Sequence, residues 1–285
     1  MVAIAYPVYA AIAIVSVSVK NEKCCSVTDL LVSVRDDCEF QDAIATGVGI
    51  IDFKEPRHGA LAPVDPTVWH SAALRITELN QLNRFTAAGG DSLIPARPRL
   101  SAALGEAEGW QAVASQLPRT FDFAKIGPSQ IKTAAAMQGL WESASQCIGP
   151  TTELVAVAYA DSDSAACLPA EQVFQLAGEF GFRRCLIDTF SKTGRSSIEY
   201  LGYERLRTIG QIAKQASMKW SLAGSIRIAM IDSLISERIF PDCYAVRGDV
   251  CHQGRSGRLC ASRLKQWVDR MALMHSRSFG PIESC

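Results

Sequence analysis

Eight short apolar runs rich in β-branched residues, each followed by a longer amphipathic stretch, occupy one chain of 285 residues. That alternation predicts an α/β protein with a parallel sheet closed into a single (β/α)8 barrel of the TIM type. The count supports the closed form, because a doubly wound open sheet usually stops nearer five or six strands. In chain order, a strand at 30–34 (LLVSV runs on from Leu30) leads to a helix at 37–46, which Gly47 ends in the left-handed position glycine favours. A strand at 49–54 follows, and Asp65-Pro66 then supplies an N-cap and a first-turn proline for a helix at 66–82. Gly89-Gly90 with Pro95 and Pro98 marks the loop into a strand at 99–104. The remaining units read helix 107–117, strand 121–127, helix 130–146, strand 154–161 and helix 170–180, the last closed by Gly181. Strand 185–189, helix 197–217, strand 220–225, helix 228–239, strand 244–247 and helix 262–274 complete the eight. The expected organisation is an apolar N-terminal extension at 1–28, a catalytic barrel at 29–275 and a C-terminal tail at 276–285.

Composition narrows the function classes. The chain is 48% hydrophobic and 20% charged, as a folded globular protein is, and Lys+Arg (29) balances Asp+Glu (29). With a sequence pI of about 6.9, no global field draws it to nucleic acid or to an anionic membrane, so any charge-driven function is local. Ten cysteines are scattered without a C-x-x-C pair, which leaves the metal and redox signatures absent. Cys185 and Cys243 sit in or beside apolar runs, where a reduced thiol acts as a small hydrophobe, so a reducing cytoplasm is the expected location. Residues 1–19 carry no charge. They lack the basic n-region of a secretory signal, and Pro7 with the Val/Ile/Ser alternation of 12–19 favours an extended strand over a helix. Three readings stay open: a dispensable extension, which leads, a strand or plug packed on the domain, and a membrane anchor.

In a barrel of this kind the open face is made by the loops after the strands, so catalytic residues stand at the strand C-termini. Strand two ends Asp52-Phe53-Lys54, with Asp52 and Lys54 on one face by the two-residue period. Strand four carries Lys125, strand five ends at Asp161, strand six at Asp188, and Lys192 follows in the loop. Strand three ends Leu104-Gly105-Glu106, and strand eight ends Arg247-Gly248-Asp249. One aspartate at such a place is more often a helix cap, and one lysine is more often solvated. Three lysines interleaved with three aspartates at one mouth are costly to bury without a use. A free lysine, with a pKa near 10.4, is neutral in only roughly one molecule in 2,500 at pH 7. Desolvation and cationic neighbours lower that pKa, and a drop of about three units is about 4 kcal/mol of differential interaction. The resulting amine attacks an aldehyde or ketone to form an imine, with Asp52 and Asp188 placed to move protons. The loops after strands seven and eight are the usual phosphate site of the fold. There Gly224 and Gly248 let backbone N–H groups approach, Ser225 adds a donor, and Arg247 offers a bidentate partner.

These residues resemble a known family, the (5-formylfuran-3-yl)methyl phosphate synthases of methanofuran biosynthesis. The shared blocks are Leu30 to Ser33, Ile50 to Pro56 with Gly59 and Leu61, Lys125 to Gly127, Tyr159 to Asp161, Leu186 to Thr189 with Lys192 and Gly194, Leu222 to Ile226, and Val246 to Gly248 with Cys251 and Gly254. The resemblance implies a carbon–oxygen lyase on a TIM barrel that joins two glyceraldehyde 3-phosphate molecules with loss of phosphate and water, within one-carbon metabolism. It implies Lys54 as the Schiff-base lysine, with Asp52, Lys125, Asp188 and Lys192 as its acid, base and electrostatic partners. It places Asp161, Gly224, Ser225, Arg247 and Gly248 with substrate and phosphate, while Lys125 or Lys192 assists a second phosphate. No nicotinamide, metal or other cofactor is implied beyond the covalent imine. The implied partner is a small triose phosphate, with neither nucleic acid nor membrane; a homo-oligomer is open, with no apolar stripe fixing a symmetry. The sequence departs from the family in a longer 78–97 segment and in Glu106, where the family usually has aspartate. Two other readings stand beside this one: another imine-forming phosphosugar aldolase or isomerase, and a barrel kept as a non-catalytic scaffold.

Overall fold

Each of the eight expected strands forms, and together they close in chain order. The computed structural model describes residues 28–87 and 97–278. The apolar extension, the Gly89-Gly90 and Pro95 loop signals, and the end of the C-terminal tail therefore lie outside the described residues. The elements run β1 (Asp29–Val34), α1 (Asp37–Ala45), β2 (Ile50–Phe53), α2 (Pro66–Ala87), β3 (Arg99–Glu106), α3 (Gln111–Ala114), β4 (Phe123–Gly127) and α4 (Ala134–Cys147). They continue with β5 (Glu153–Tyr159), α5 (Ser162–Ala165), α6 (Ala170–Phe180), β6 (Arg184–Asp188), α7 (Ser197–Gln215), β7 (Lys219–Leu222), α8 (Ile231–Ser236), β8 (Cys243–Val246) and α9 (Ala261–Ser278). Every pairing is parallel, and β8 returns to β1 with Leu30 beside Tyr244.

Strand alternation sorts the side chains into two cores. Val32, Ile51, Phe53 and Leu104 face outward and are covered by the helices, where Phe40, Phe53, Phe121 and Trp69 form a chain of tilted rings 5.3 to 6.2 Å apart. Leu31, Ile50, Phe123, Val155, Val157 and Leu186 fill the barrel itself. Towards the strand C-termini the inward positions change to Ser33, Asp52, Lys125 and Asp188, all buried. The functional mouth is therefore cut into the top of an otherwise apolar interior.

Several boundaries differ from the sequence expectation. The helix expected at 107–117 shrinks to α3, because Gly109 takes φ +83° and delays its start. The helix expected from 130 begins at Ala134, since Gln130 has φ +68° and Thr133 provides the N-cap, accepting from the Ala136 amide at 3.2 Å. The strand expected to reach 225 stops at Leu222, because Gly224 and Ser225 turn the chain with φ +82° and +54°. The helix expected at 228–239 divides into a 3₁₀ turn, Ile228–Met230, and α8. One short helix, α5, was not anticipated. Gly47 and Gly181 do end α1 and α6 with positive φ. Among the described residues no helix is long and apolar enough to cross a membrane.

Candidate active site

Three lysines and two aspartates meet at the mouth. Asp52 is 0% exposed on β2 and pairs at 2.6 Å with Lys125 Nζ from β4, while its second oxygen accepts from the Ser33 hydroxyl at 3.2 Å. Asp188, at the end of β6, faces two cations: Lys192 Nζ at 3.3 Å and Lys54 Nζ at 3.5 Å. Lys192 is gripped again by the hydroxyl and carbonyl oxygens of Thr189. Lys54 follows β2, its amide donating to the Val34 carbonyl, and its side chain remains 14% exposed against 3% for Lys125. The three lysines, the two aspartates and Ser33 line one cavity together with Ala223, Gly224, Ser225, Gly248 and Arg255.

Burial and charge act in opposite directions within the cluster. Burial pushes the Asp188 carboxyl up, but Lys192, Lys54 and the Thr189 amide outweigh it and hold the group at about 2. Burial lowers Lys125, with the Asp52 carboxylate opposing and the Lys54 charge assisting. It lowers Lys192 as well, against Asp188. Two ammonium groups whose charged forms burial disfavours thus each stand on a carboxylate, Lys125 on Asp52 and Lys192 on Asp188, an arrangement suited to proton exchange.

The residues expected at a phosphate are divided by the fold. At Gly224 a Cβ would come within 2.2 Å of Ser197 Oγ and 2.8 Å of Thr189 Cγ2, so the turn after β7 requires glycine for both its φ and its close approach. Gly224, Ser225 and Gly248 line the cavity, and a groove continues from Ser225 and Gly248 past Gly194, Arg227 and Gly254. Arg247 lines the cavity too, but its guanidinium is engaged within the fold. Its side chain is 4% exposed and spends its donors inside the fold, on Glu39 at 2.8 and 3.2 Å and on the carbonyls of Ser33, Arg255 and Gly257. A guanidinium so enclosed braces the β8 loop and leaves no fork for phosphate. Asp161 is also placed elsewhere: its two oxygens accept from the Phe190 and Ser191 amides at 2.7 and 2.8 Å, which shapes the loop after β6.

The sequence model of the 4-HFC-P synthase family matches residues 30–268. The chain belongs to this family of enzymes. A (5-formylfuran-3-yl)methyl phosphate synthase from Methanosarcina mazei is 30% identical over 235 residues, covering 80% of this chain and 92% of that protein. One from Methanococcus maripaludis is 29% identical over 246 residues, covering 84% and 97%. Among solved structures, (S)-3-O-geranylgeranylglyceryl phosphate synthase from Thermoplasma acidophilum superposes with a TM-score of 0.52 at 11% identity, over 86% of this chain and 94% of that one. Thiamine phosphate pyrophosphorylase from Pyrococcus furiosus gives 0.50 at 12%, over 90% and 98%. At these identities the two structures show the shared barrel.

Two residues of this 4-HFC-P synthase family member were not assigned a role from sequence. Arg255 lines both the cavity and the groove, and its Nη2 donates to the carbonyls of Pro56 and Gly59, so it bridges the β8 loop to the loop beyond Lys54. It lies in a Gly/Ser/Arg-rich stretch that carries no periodicity, and nothing in that stretch separates its arginine from Arg247. Glu106 accepts from the Tyr159 hydroxyl at 2.6 Å and from the Ser129 amide at 3.3 Å. Its position at the end of β3 was a sequence signal, but its direction was not.

Proposed function

We propose that this chain condenses two molecules of glyceraldehyde 3-phosphate to (5-formylfuran-3-yl)methyl phosphate through an imine on Lys54. The observation that carries the choice of lysine is how loosely Lys54 is held. Lys125 is sealed on Asp52 at 2.6 Å and Lys192 is tied to Asp188 and Thr189, whereas Lys54 keeps one ion pair, at 3.5 Å, and is more exposed than Lys125 though less than Lys192. Family membership supports the same substrate class.

The chemistry follows from the groups present. The Lys54 amine adds to the aldehyde carbon of one triose phosphate, and a proton delivered to the oxygen lets water leave as the imine forms. Loss of a proton from the neighbouring carbon gives an enamine, from which the phosphate on the third carbon leaves by elimination; that third carbon then adds to the carbonyl of the second triose phosphate, isomerised to its ketone form, which gives the branched skeleton. Closure through a hydroxyl oxygen and eliminations then aromatise the ring, so that two triose phosphates give one furan product, one phosphate and two waters. Every step is proton transfer or addition and elimination, with no net oxidation. The Lys125–Asp52 pair and Asp188 with Lys192 are the proton carriers, since burial disfavours the charge on both lysines. For the phosphate, the turn at Gly224-Ser225, the Gly248 amide and Arg255 are the donors, with Arg255 in place of Arg247. The product enters methanofuran or a related one-carbon cofactor, and the setting is the reducing cytoplasm.

Borohydride reduction of the protein with glyceraldehyde 3-phosphate, followed by peptide mass spectrometry and by furan absorbance without reductant, tests this reading. An adduct on Lys54 and a furan product are expected; both vanish in Lys54→Ala and in Lys54→Arg, because a guanidinium stays protonated and forms no imine. Turnover by Lys54→Arg would overturn the imine. An adduct without furan or phosphate release would point to another phosphosugar aldolase.

A further inference from the structure

The barrel departs from regular pairing at one place among the strand pairs described, and the departure aims a carboxyl group. In the β3–β4 ladder Ala103 stands opposite Lys125, but Glu106 stands opposite Gly127, so Leu104 and Gly105 share the single partner Ile126. Ala103 faces inward and Leu104 outward, so plain alternation would send Gly105 inward and Glu106 out to the helices. The bulge, with Gly105 at φ +108°, reverses this. Glu106 turns in and takes the hydroxyl of Tyr159, an inner-core residue, at 2.6 Å. Room is made for it at Gly127, where a Cβ would lie 2.0 Å from Glu106 Oε2 and 2.4 Å from the tyrosine oxygen. Tyr159 is itself fixed by the Phe190 ring, 5.4 Å away.

We infer that Glu106 is a further catalytic acid–base residue, oriented by Tyr159 and serving the second triose phosphate in its dehydration. This rests on the furan-forming reading of the site. Glu106 does not line the cavity over Lys54; it stands half-buried at the C-terminal end of β3, at the same end of the barrel, with its oxygens on Tyr159 and Ser129, a place for the second triose unit rather than for the imine carbon. In the step assigned to it, the carboxylate takes a carbon-bound proton from the second triose unit and returns it to the hydroxyl on the adjacent carbon. The C–H and C–O bonds break, a C=C bond forms, water leaves, and Glu106 ends in its starting state. Burial raises the Glu106 carboxyl, against the Tyr159 and Ser129 hydrogen bonds, which suits a group that must both accept and donate. The other titratable groups facing it or its tyrosine are Cys167, Asp188 and Lys192.

The test separates imine formation from furan formation. Glu106→Gln should slow furan release by roughly 100-fold or more, while trapping of triose phosphate on Lys54 stays within about threefold of the unaltered protein. The acid limb of its residual pH–rate profile should vanish. Tyr159→Phe removes a hydrogen bond that stabilises the carboxylate, so its acid limb should move to higher pH. Furan formation by Glu106→Gln within about threefold of normal would overturn the assignment, as would equal loss of trapping and furan or unchanged pH profiles in both variants. If the unaltered protein traps the triose but makes no furan, the functional reading fails instead.

Discussion

Arg247 and Arg255 stand eight residues apart in one loop, and the fold gives them opposite tasks. Arg247 completes a buried pair with Glu39, whose carboxyl burial would raise but which Arg247 and Arg35 hold below the ordinary range. Removing one member of a buried pair leaves an uncompensated charge, so Arg247→Ala should cost about 3–5 kcal/mol. In a protein of this size that lowers the melting temperature by on the order of 10 °C. Arg255 touches the loop carbonyls of Pro56 and Gly59 and the cavity. Arg255→Ala should raise KM for triose phosphate by about tenfold or more, as expected for a lost charged contact, with a far smaller change in melting temperature. Thermal melts and initial-rate kinetics on the two variants decide it; a KM effect in Arg247→Ala without destabilisation would reverse the assignment. The sequence could not separate these arginines, because the partner that claims Arg247 lies 208 residues away.

At the level of elements, the strand ends were legible and the turns after them were not. The period-two argument placed Asp52 and Lys54 together opposite Ile51 and Phe53, and the structure keeps that division. The same argument applied to β3 points Glu106 outward, since a bulge adds a residue that no alternation pattern reveals. After β7, apolarity continues through Ala223 and Ile226, so the strand seemed longer than it is; left-handed backbone at Gly224 and Ser225 ends it. That turn carries a prediction. Gly224→Ala meets both a φ that side chains rarely adopt and two contacts below 3 Å, so the loop must shift. Phosphate inhibition of the reaction should weaken by about tenfold or more while the helical content stays unchanged, with strain on the order of 1–3 kcal/mol. Unaltered inhibition by inorganic phosphate would remove this turn from the phosphate site.

The described residues close the barrel: Asp29 pairs with Cys243, its amide donates to the Asp242 carbonyl, and β1 is held by β2 and β8. Removal of residues 1–26 should therefore leave a barrel that melts cooperatively and forms furan at near-normal rate. Collapse of the melting transition in the truncated chain would show that the segment packs on the domain. The balanced charge of the chain, 29 cations against 29 anions, is also a whole-molecule property that says little until the barrel closes. Closure brings Asp52, Lys125, Asp188, Lys54 and Lys192 into one mouth and makes a strong local field from a neutral total.

The sequence alone determined the eightfold order, the two faces of each strand and the set of lysines and aspartates at the strand ends, because these depend on local periodicity and on the fold's rule for where loops gather. Only the tertiary structure decided which lysine is left loosely paired, which arginine is spent on Glu39 and which way Glu106 points. Those outcomes depend on partners distant in sequence and on one added residue in a ladder, and neither leaves a repeating trace along the chain.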